Sequence, residues 1–484
     1  MKEYPEPKDV FHYFSEISKI PRGSGNTAGM TAYLTSFAKE RGLTFLSDPT
    51  GNVVIRKKAS PGYETAAPCA LQGHVDMVCV KEEDSNHDFL TDPIRLTEED
   101  GWIHADKTTL GADDGIAVAY MLAILDNDTL SHPALEMLFT VDEETGMDGA
   151  MALDPSWIRA RRMINLDSDE EGTFIVGCAG GMEAISHFPL QRTIRKGVSL
   201  TLSIGGLRGG HSGGEIHRPV ASANRLLGRI LWHLAKEFPF GIVSIAGGDK
   251  KNAIAQNAAA KLVADRKDVA AMKEAAAAAE KDLRSEFEGI DDGLYVRLSD
   301  GDETEAAVFS EDCAKRIVAF LYAVPHGVER MSAKIPGATE TSTNLGVLET
   351  EEDVFTAMSL TRSACGTARD ALADRICALT EALGGTCAFS GRYPAWEFHT
   401  DAKLLALMHR VYAETFGREP NDAITHGGLE CGFFSERFPG MEIVSMGPEA
   451  RDIHTPKERL SVGSTQRMYA YLLRVLAAMK DEDR

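Results

Sequence analysis

Leu71-Gln72-Gly73-His74-Val75-Asp76 follows a short apolar approach, Cys69-Ala70, and ends with a histidine and an aspartate two residues apart. Residues i and i+2 of a strand share a face. His74 and Asp76 therefore project side by side from a strand's C-terminal end, where open α/β sheets place their chemistry. A neutral imidazole is a good transition-metal ligand, and its second ring nitrogen needs a partner that fixes the ring. His74 is expected to bind a metal and Asp76 to steady it.

The flanking sequence repeats the theme of a strand that ends in a donor. Residues 135–141 read as a buried strand followed by Asp142-Glu143-Glu144-Thr145-Gly146, and residues 163–166 as a shorter one ending at Asp167. Between them and the opening stretch, Leu110-Gly111-Ala112-Asp113-Asp114-Gly115 leads into an apolar run with helical spacing. Strands alternating with helices give an α/β fold. Upstream, Asp9 is placed to cap a helix that Pro21 stops, a second helix ends near Arg41-Gly42, and two short strands flank the turn Asp48-Pro49-Thr50-Gly51.

From about Gly180 the pattern changes to strands and long helices that carry few candidate ligands, and near Pro394 the alternation of the N-terminal part resumes. The expectation is a discontinuous catalytic domain, residues 1–180 and 396–484, with a central mixed sheet flanked by helices. An inserted α+β lid and dimerisation domain is expected over residues 181–395.

Composition narrows the function. With 51 Lys and Arg against 73 Asp and Glu among 484 residues, the formal charge is −22. Nucleic acid and anionic membrane surfaces call for clustered basic residues, so neither is an expected partner. The N-terminal Met1-Lys2-Glu3-Tyr4-Pro5 shows no apolar secretory core, and no run is long enough to span a bilayer. Eight cysteines are scattered without a C-x-x-C pair, which points to a reduced, cytoplasmic protein whose metal would be held by His and carboxylate.

The donors line up as His74, Asp113, Glu144, Asp167 and His454, with Asp76 and Glu143 beside them. Two divalent ions need a bridging carboxylate, terminal ligands on each side and a position open to water. Asp113, in its tight loop at a helix start, suits the bridge. His74 and Asp167 would serve one ion, Glu144 and His454 the other. Glu143 is then free to act as general base, neighbours on a strand end diverging enough for Glu143 and Glu144 to take different tasks. Asp114 reads as a helix N-cap rather than an outer ligand. Zn fits these donors, and Mn or Co tolerate them.

The order His-x-Asp, Gly-Ala-Asp-Asp-Gly, Glu-Glu-x-Gly, Leu-Asp and a late His before Thr-Pro resembles the co-catalytic zinc metallopeptidases of the carnosinase, aminoacylase and peptidase T superfamily. Within it the chain looks most like the bacterial Xaa-His (aminoacyl-histidine) dipeptidase, or peptidase D, branch. Gly209-Gly210-His211-Ser212-Gly213, Asn252-Ala253-Ile254 and His426-Gly427-Gly428-Leu429-Glu430-Cys431 extend the likeness through the insert and beyond it. The resemblance implies metal ligation by the five donors, orientation by Asp76 and proton transfer by Glu143. It further implies that His211 stabilises a tetrahedral oxyanion, and that Asn252, Arg362 and the Gly427-Gly428 backbone hold the substrate's carboxylate. His426 either touches substrate or hydrogen-bonds within its loop.

The implied activity is cleavage of dipeptides, including β-alanyl-His, by a homodimer built through the lid. Tripeptides or N-acyl amino acids are the alternative substrates of the same site. A non-catalytic binding protein on this fold is disfavoured by the retained Glu143 and Asp76.

Overall fold

A computed structural model describes residues 5–480. The N-terminal tetrapeptide Met1-Lys2-Glu3-Tyr4, which shows no secretory core in the sequence, lies outside the described residues. The chain groups into two compact units. The first comprises Met1–Gly177, Trp396–Ile424 and Leu429–Arg484. The second comprises Cys178–Ala395 and Thr425–Gly428.

The first unit is built on a mixed eight-stranded sheet, the central mixed sheet that the sequence leads one to expect. Its middle is parallel: Cys69–His74 lies between Leu135–Thr140 and Arg162–Asn165, and Glu442–Ser445 follows beside the latter. Every residue of the strands Cys69–His74 and Leu135–Thr140 is buried. That is the pattern of parallel strands covered on both faces, so burial is continuous along each strand instead of alternating. The helix Ala112–Asp126 is buried continuously from Asp114 to Leu125, as a helix apolar on all sides must be.

A small four-stranded sheet also belongs to this unit. The hairpin Leu96–Glu99 and Trp102–Ala105 pairs with Arg459–Ser461, which in turn pairs with Ala450–Arg451. It frames the loop that carries His454.

The second unit is a nine-stranded sheet whose recorded pairings are all antiparallel, with Thr339–Thr350, Val354–Ser363 and Gly180–Pro189 side by side. The helices Ala223–Glu237, Arg266–Glu286 and Glu311–Ala323 share one apolar core with it.

Three local expectations need correction. Pro7, not Asp9, stands at the N-cap of the first helix, and Asp9 lies in its first turn. Glu143 and Glu144 do not sit on a strand end; they open the one-turn helix Glu143–Gly146, after Asp142 has taken a left-handed φ of 55°. The cysteines are not all reduced: Cys377 and Cys387 form a disulfide with Cα atoms 5.2 Å apart. The strand Thr386–Tyr393 follows directly on the helix Gly366–Ala382 and packs back against it. A spacing of ten residues gave no sign of that pairing.

Candidate functional site

The first unit brings seven of the marked residues together. His74 closes its strand in the middle of the sheet and is 1% exposed. Its Nδ1 donates to the main-chain carbonyl of Asp76 at 3.1 Å, which leaves Nε2 free to meet Asp113 Oδ1 at 3.1 Å and Asp167 Oδ1 at 3.4 Å. Asp113 turns its other oxygen to His454 Nε2, also at 3.1 Å, and Glu144 Oε1 lies 3.0 Å from that same nitrogen. One carboxylate thus spans two imidazoles, each with a second carboxylate beside it.

Asp76 works differently from the expectation. It is the Asp76 carbonyl that holds the His74 ring most closely, its carboxylate Oδ1 lying at 3.4 Å. The carboxylate accepts the main-chain N–H groups of Glu143 at 3.1 Å and Glu144 at 3.3 Å, and the hydroxyl of Ser24 at 2.8 Å. Asp76 therefore couples the orientation of His74 to the placement of both glutamates. Ser24 went unmarked in the sequence because an isolated serine in a glycine-rich loop carries no periodic signal.

Asp114 is not an N-cap. Gly111, with φ 69°, occupies that position, and Asp113 and Asp114 take non-helical dihedrals within the first turn. The Asp114 side chain is thereby aimed at the strand Cys69–His74, where the His74 N–H donates to it at 3.3 Å. Gly73 makes room: a Cβ there would stand 2.5 Å from Asp114 Oδ2.

The electrostatics follow from packing this many carboxylates into little water. Burial pulls the His74 imidazole down, but Asp167, Asp113 and Asp76 outweigh it and hold it well above the ordinary value. Hydrogen bonds to Asp113 and Glu144 raise His454 to about 10. Burial also works against Asp113, yet the two imidazoles keep it below the usual carboxylate range. Burial pushes Asp167 up to about 7 and Glu143 to about 9. Beneath the cluster, the fully buried Glu430 accepts from Gln72 at 2.7 Å and Thr140 at 2.8 Å, and burial lifts it to about 8.

These donors fit divalent cations. Ligand atoms of His74, Asp113 and Glu144, and of His74, Asp114 and Asp167, lie within 4.8 Å of one another. They are imidazole nitrogens and carboxylate oxygens, the hard-to-borderline set that suits Zn, Mn or Co. Protonated imidazoles otherwise supply the positive charge such a cluster demands.

The remaining marked residues lie in the second unit. His211 is on a two-residue strand paired with Ala253–Ile254, next to Asn252, whose carbonyl accepts the Ser212 N–H at 2.8 Å. The N–H groups of Gly213 and Gly214 donate to His211 Nδ1 at 3.3 and 3.2 Å, so the ring proton resides on Nε2. Burial and then Arg362 lower this imidazole. Arg362, 6% exposed on the strand Val354–Ser363, donates through Nη1 to the Tyr393 hydroxyl at 2.7 Å, while its Nε has no hydrogen-bond partner among the described residues. Ser342, cross-strand from Arg362, meets His426 Nε2 at 2.7 Å. Burial and then Arg362 lower His426 to about 4. The Gly427 N–H is turned to Thr425 Oγ1 at 3.3 Å.

Comparison with known proteins gives one consistent family. Residues 70–478 match the sequence profile of the peptidase family M20/M25/M40. The chain is 35% identical over 472 residues to the cytosol non-specific dipeptidase of Escherichia coli, covering 97% of each. The crystal structure of aminoacylhistidine dipeptidase from Vibrio alginolyticus superposes with a TM-score of 0.92 at 35% identity, covering 98% of this chain and 97% of that one. An aminopeptidase PepT from Bacillus cereus shares the fold, with a TM-score of 0.57 at 16% identity over 97% of this chain and 98% of that one.

Proposed function

The chain belongs to the peptidase family M20/M25/M40, and from that premise we propose that it is a two-metal dipeptidase that cleaves Xaa-His peptides, β-alanyl-His among them. The observation that carries the reading is the Asp113 carboxylate, whose two oxygens each stand 3.1 Å from a different imidazole nitrogen. His74 and Asp167 would hold one ion, Glu144 and His454 the other, and Asp113 both.

Cations held there supply Lewis acidity, which polarises a peptide carbonyl and makes water easier to deprotonate. Glu143 takes the proton of the attacking water and passes it to the leaving amine. Its carboxyl ionises at neutral pH only with added positive charge nearby, because burial and the neighbouring carboxylates of Asp167, Glu430 and Glu144 raise it to about 9 against the pull of His74. Asp76 sets its position through the backbone N–H at 3.1 Å.

In the second unit, His211 carries its proton on Nε2, the form that donates to a developing oxyanion. Arg362, buried with an unsatisfied Nε, suits a terminal carboxylate by its forked geometry. Asn252 and the Gly427-Gly428 backbone are assigned to the same carboxylate by resemblance. Residues 1–180 and 396–484 would then form the catalytic domain and 181–395 the lid, through which two copies pair. A cytoplasmic setting is supported by the name of the Escherichia coli relative.

The names of the two 35% identical relatives differ in breadth, one non-specific and one aminoacylhistidine. A hydrolysis screen resolves this. After chelation and reloading with Zn, Mn or Co, Xaa-His and β-alanyl-His should be cut faster than other dipeptides, tripeptides or acyl amino acids. Full activity in excess chelator overturns the two-metal reading, and faster tripeptide or acyl cleavage overturns the substrate.

A further inference from the structure

The donors of the cluster sit at the ends of elements and in the loops that join them, and something must hold those segments in register. Glu458, 2% exposed, directs one carboxylate oxygen at the N–H groups of Leu110 and Gly111, at 2.7 and 2.9 Å, and the other at those of Ala112 and Asp113, at 2.7 and 3.3 Å. Four donors fill the lone-pair sites of one ionised carboxylate. Ala112 and Asp113 open the helix Ala112–Asp126, whose first N–H groups have no helical acceptor, and Leu110 and Gly111 lead into it. Gly111, at its N-cap, offers no side chain to satisfy them.

Glu458 also belongs to the segment that presents His454, between the paired strands Ala450–Arg451 and Arg459–Ser461. One side chain thus fastens the His454 loop to the Asp113 loop. Arg22, also 2% exposed, grips the same turn from the other side. It donates to the Gly111 carbonyl and, at 2.9 and 3.3 Å, to the carbonyls of Val75 and Asp76 just past His74. The fit is close: a Cβ on Gly111 or Gly115 would come 2.5 Å from Arg22 Nη2.

We infer that Glu458 is a positioning residue of the metal site, setting the placement of Asp113 against His454 without touching a metal itself; this rests on the two-metal proposal. Residues that orient ligands in this way change metal affinity by about 10- to 100-fold when replaced. Glu458→Gln keeps the shape but turns an NH2 donor toward two backbone N–H donors. Glu458→Asp keeps both acceptors and shortens the reach.

The test is a Zn2+ titration of the full-length protein against a chromophoric chelator, with thermal melting of each metal-free variant alongside. Wild type should bind two Zn2+ per chain. Glu458→Gln should weaken at least one of them by about tenfold or more, and Glu458→Asp by less. Wild-type Zn2+ affinity in folded Glu458→Gln, whatever its melting temperature, overturns the inference alone. Should Glu458→Gln fail to fold, Glu458→Asp decides: weakened binding supports the role and unchanged binding overturns it. Wild type that fails to take two ions overturns the two-metal reading, and the inference with it.

Discussion

Four histidines divide between the two units, and their surroundings drive them in opposite directions. His74 and His454 stand among carboxylates and are raised, His454 to about 10. His211 and His426 are desolvated beside Arg362 and are lowered, His426 to about 4. The same side chain thus serves two chemistries. The first pair sits in a pool of negative charge that calls for cations. The second pair stays neutral in a positive field suited to anions, with a defined donor on His211.

The most severe way to break this contrast is to remove the base from the negative pool. Glu143→Gln should lower kcat by about 10²- to 10⁴-fold, with two Zn2+ still bound by elemental analysis. Retained activity would remove Glu143 from its role.

Next comes the positive field. Arg362→Ala should lower kcat/KM by about 10- to 100-fold, mainly through KM, as expected from losing a charged hydrogen bond of about 1.5–3 kcal/mol. In the same variant the His426 titration followed by NMR should move up from about 4, because the Arg362 charge that helps to lower it is gone. An unmoved KM would place the carboxylate grip elsewhere.

The smallest effect is a pH dependence in the wild type. A cation binds neutral imidazole, whereas the metal-free His454 keeps its proton up to about 10. Metal uptake at neutral pH must therefore release protons, and apparent affinity should rise with pH and level off only above that value. Calorimetry of Zn2+ binding in buffers of different ionisation enthalpy reads the number released. Zero protons at pH 7 would show that the imidazoles do not carry the compensating charge.

Much of the fold was legible because strand ends and loops leave local marks. The buried runs at Cys69–His74 and Leu135–Thr140 read as strands, and the donors follow them directly. Two of the readings failed because of a backbone conformation. Asp114 resembled an N-cap until the non-helical first turn aimed it at Gly73. The left-handed Asp142 put Glu143 and Glu144 on a helical turn instead of a strand end.

By itself the sequence determined the α/β order, the acidic balance and the set of His and carboxylate donors, since these depend on residue type and on spacing within a few positions. Only the tertiary structure decided what supports those donors. Glu458 and Arg22 act on backbone N–H and C=O groups, which every residue carries and no motif records. Ser24 and the Cys377–Cys387 pair depend on chain segments folding back on each other. The opposite shifts of the histidines come from burial and neighbouring charge, which exist only once distant segments have packed.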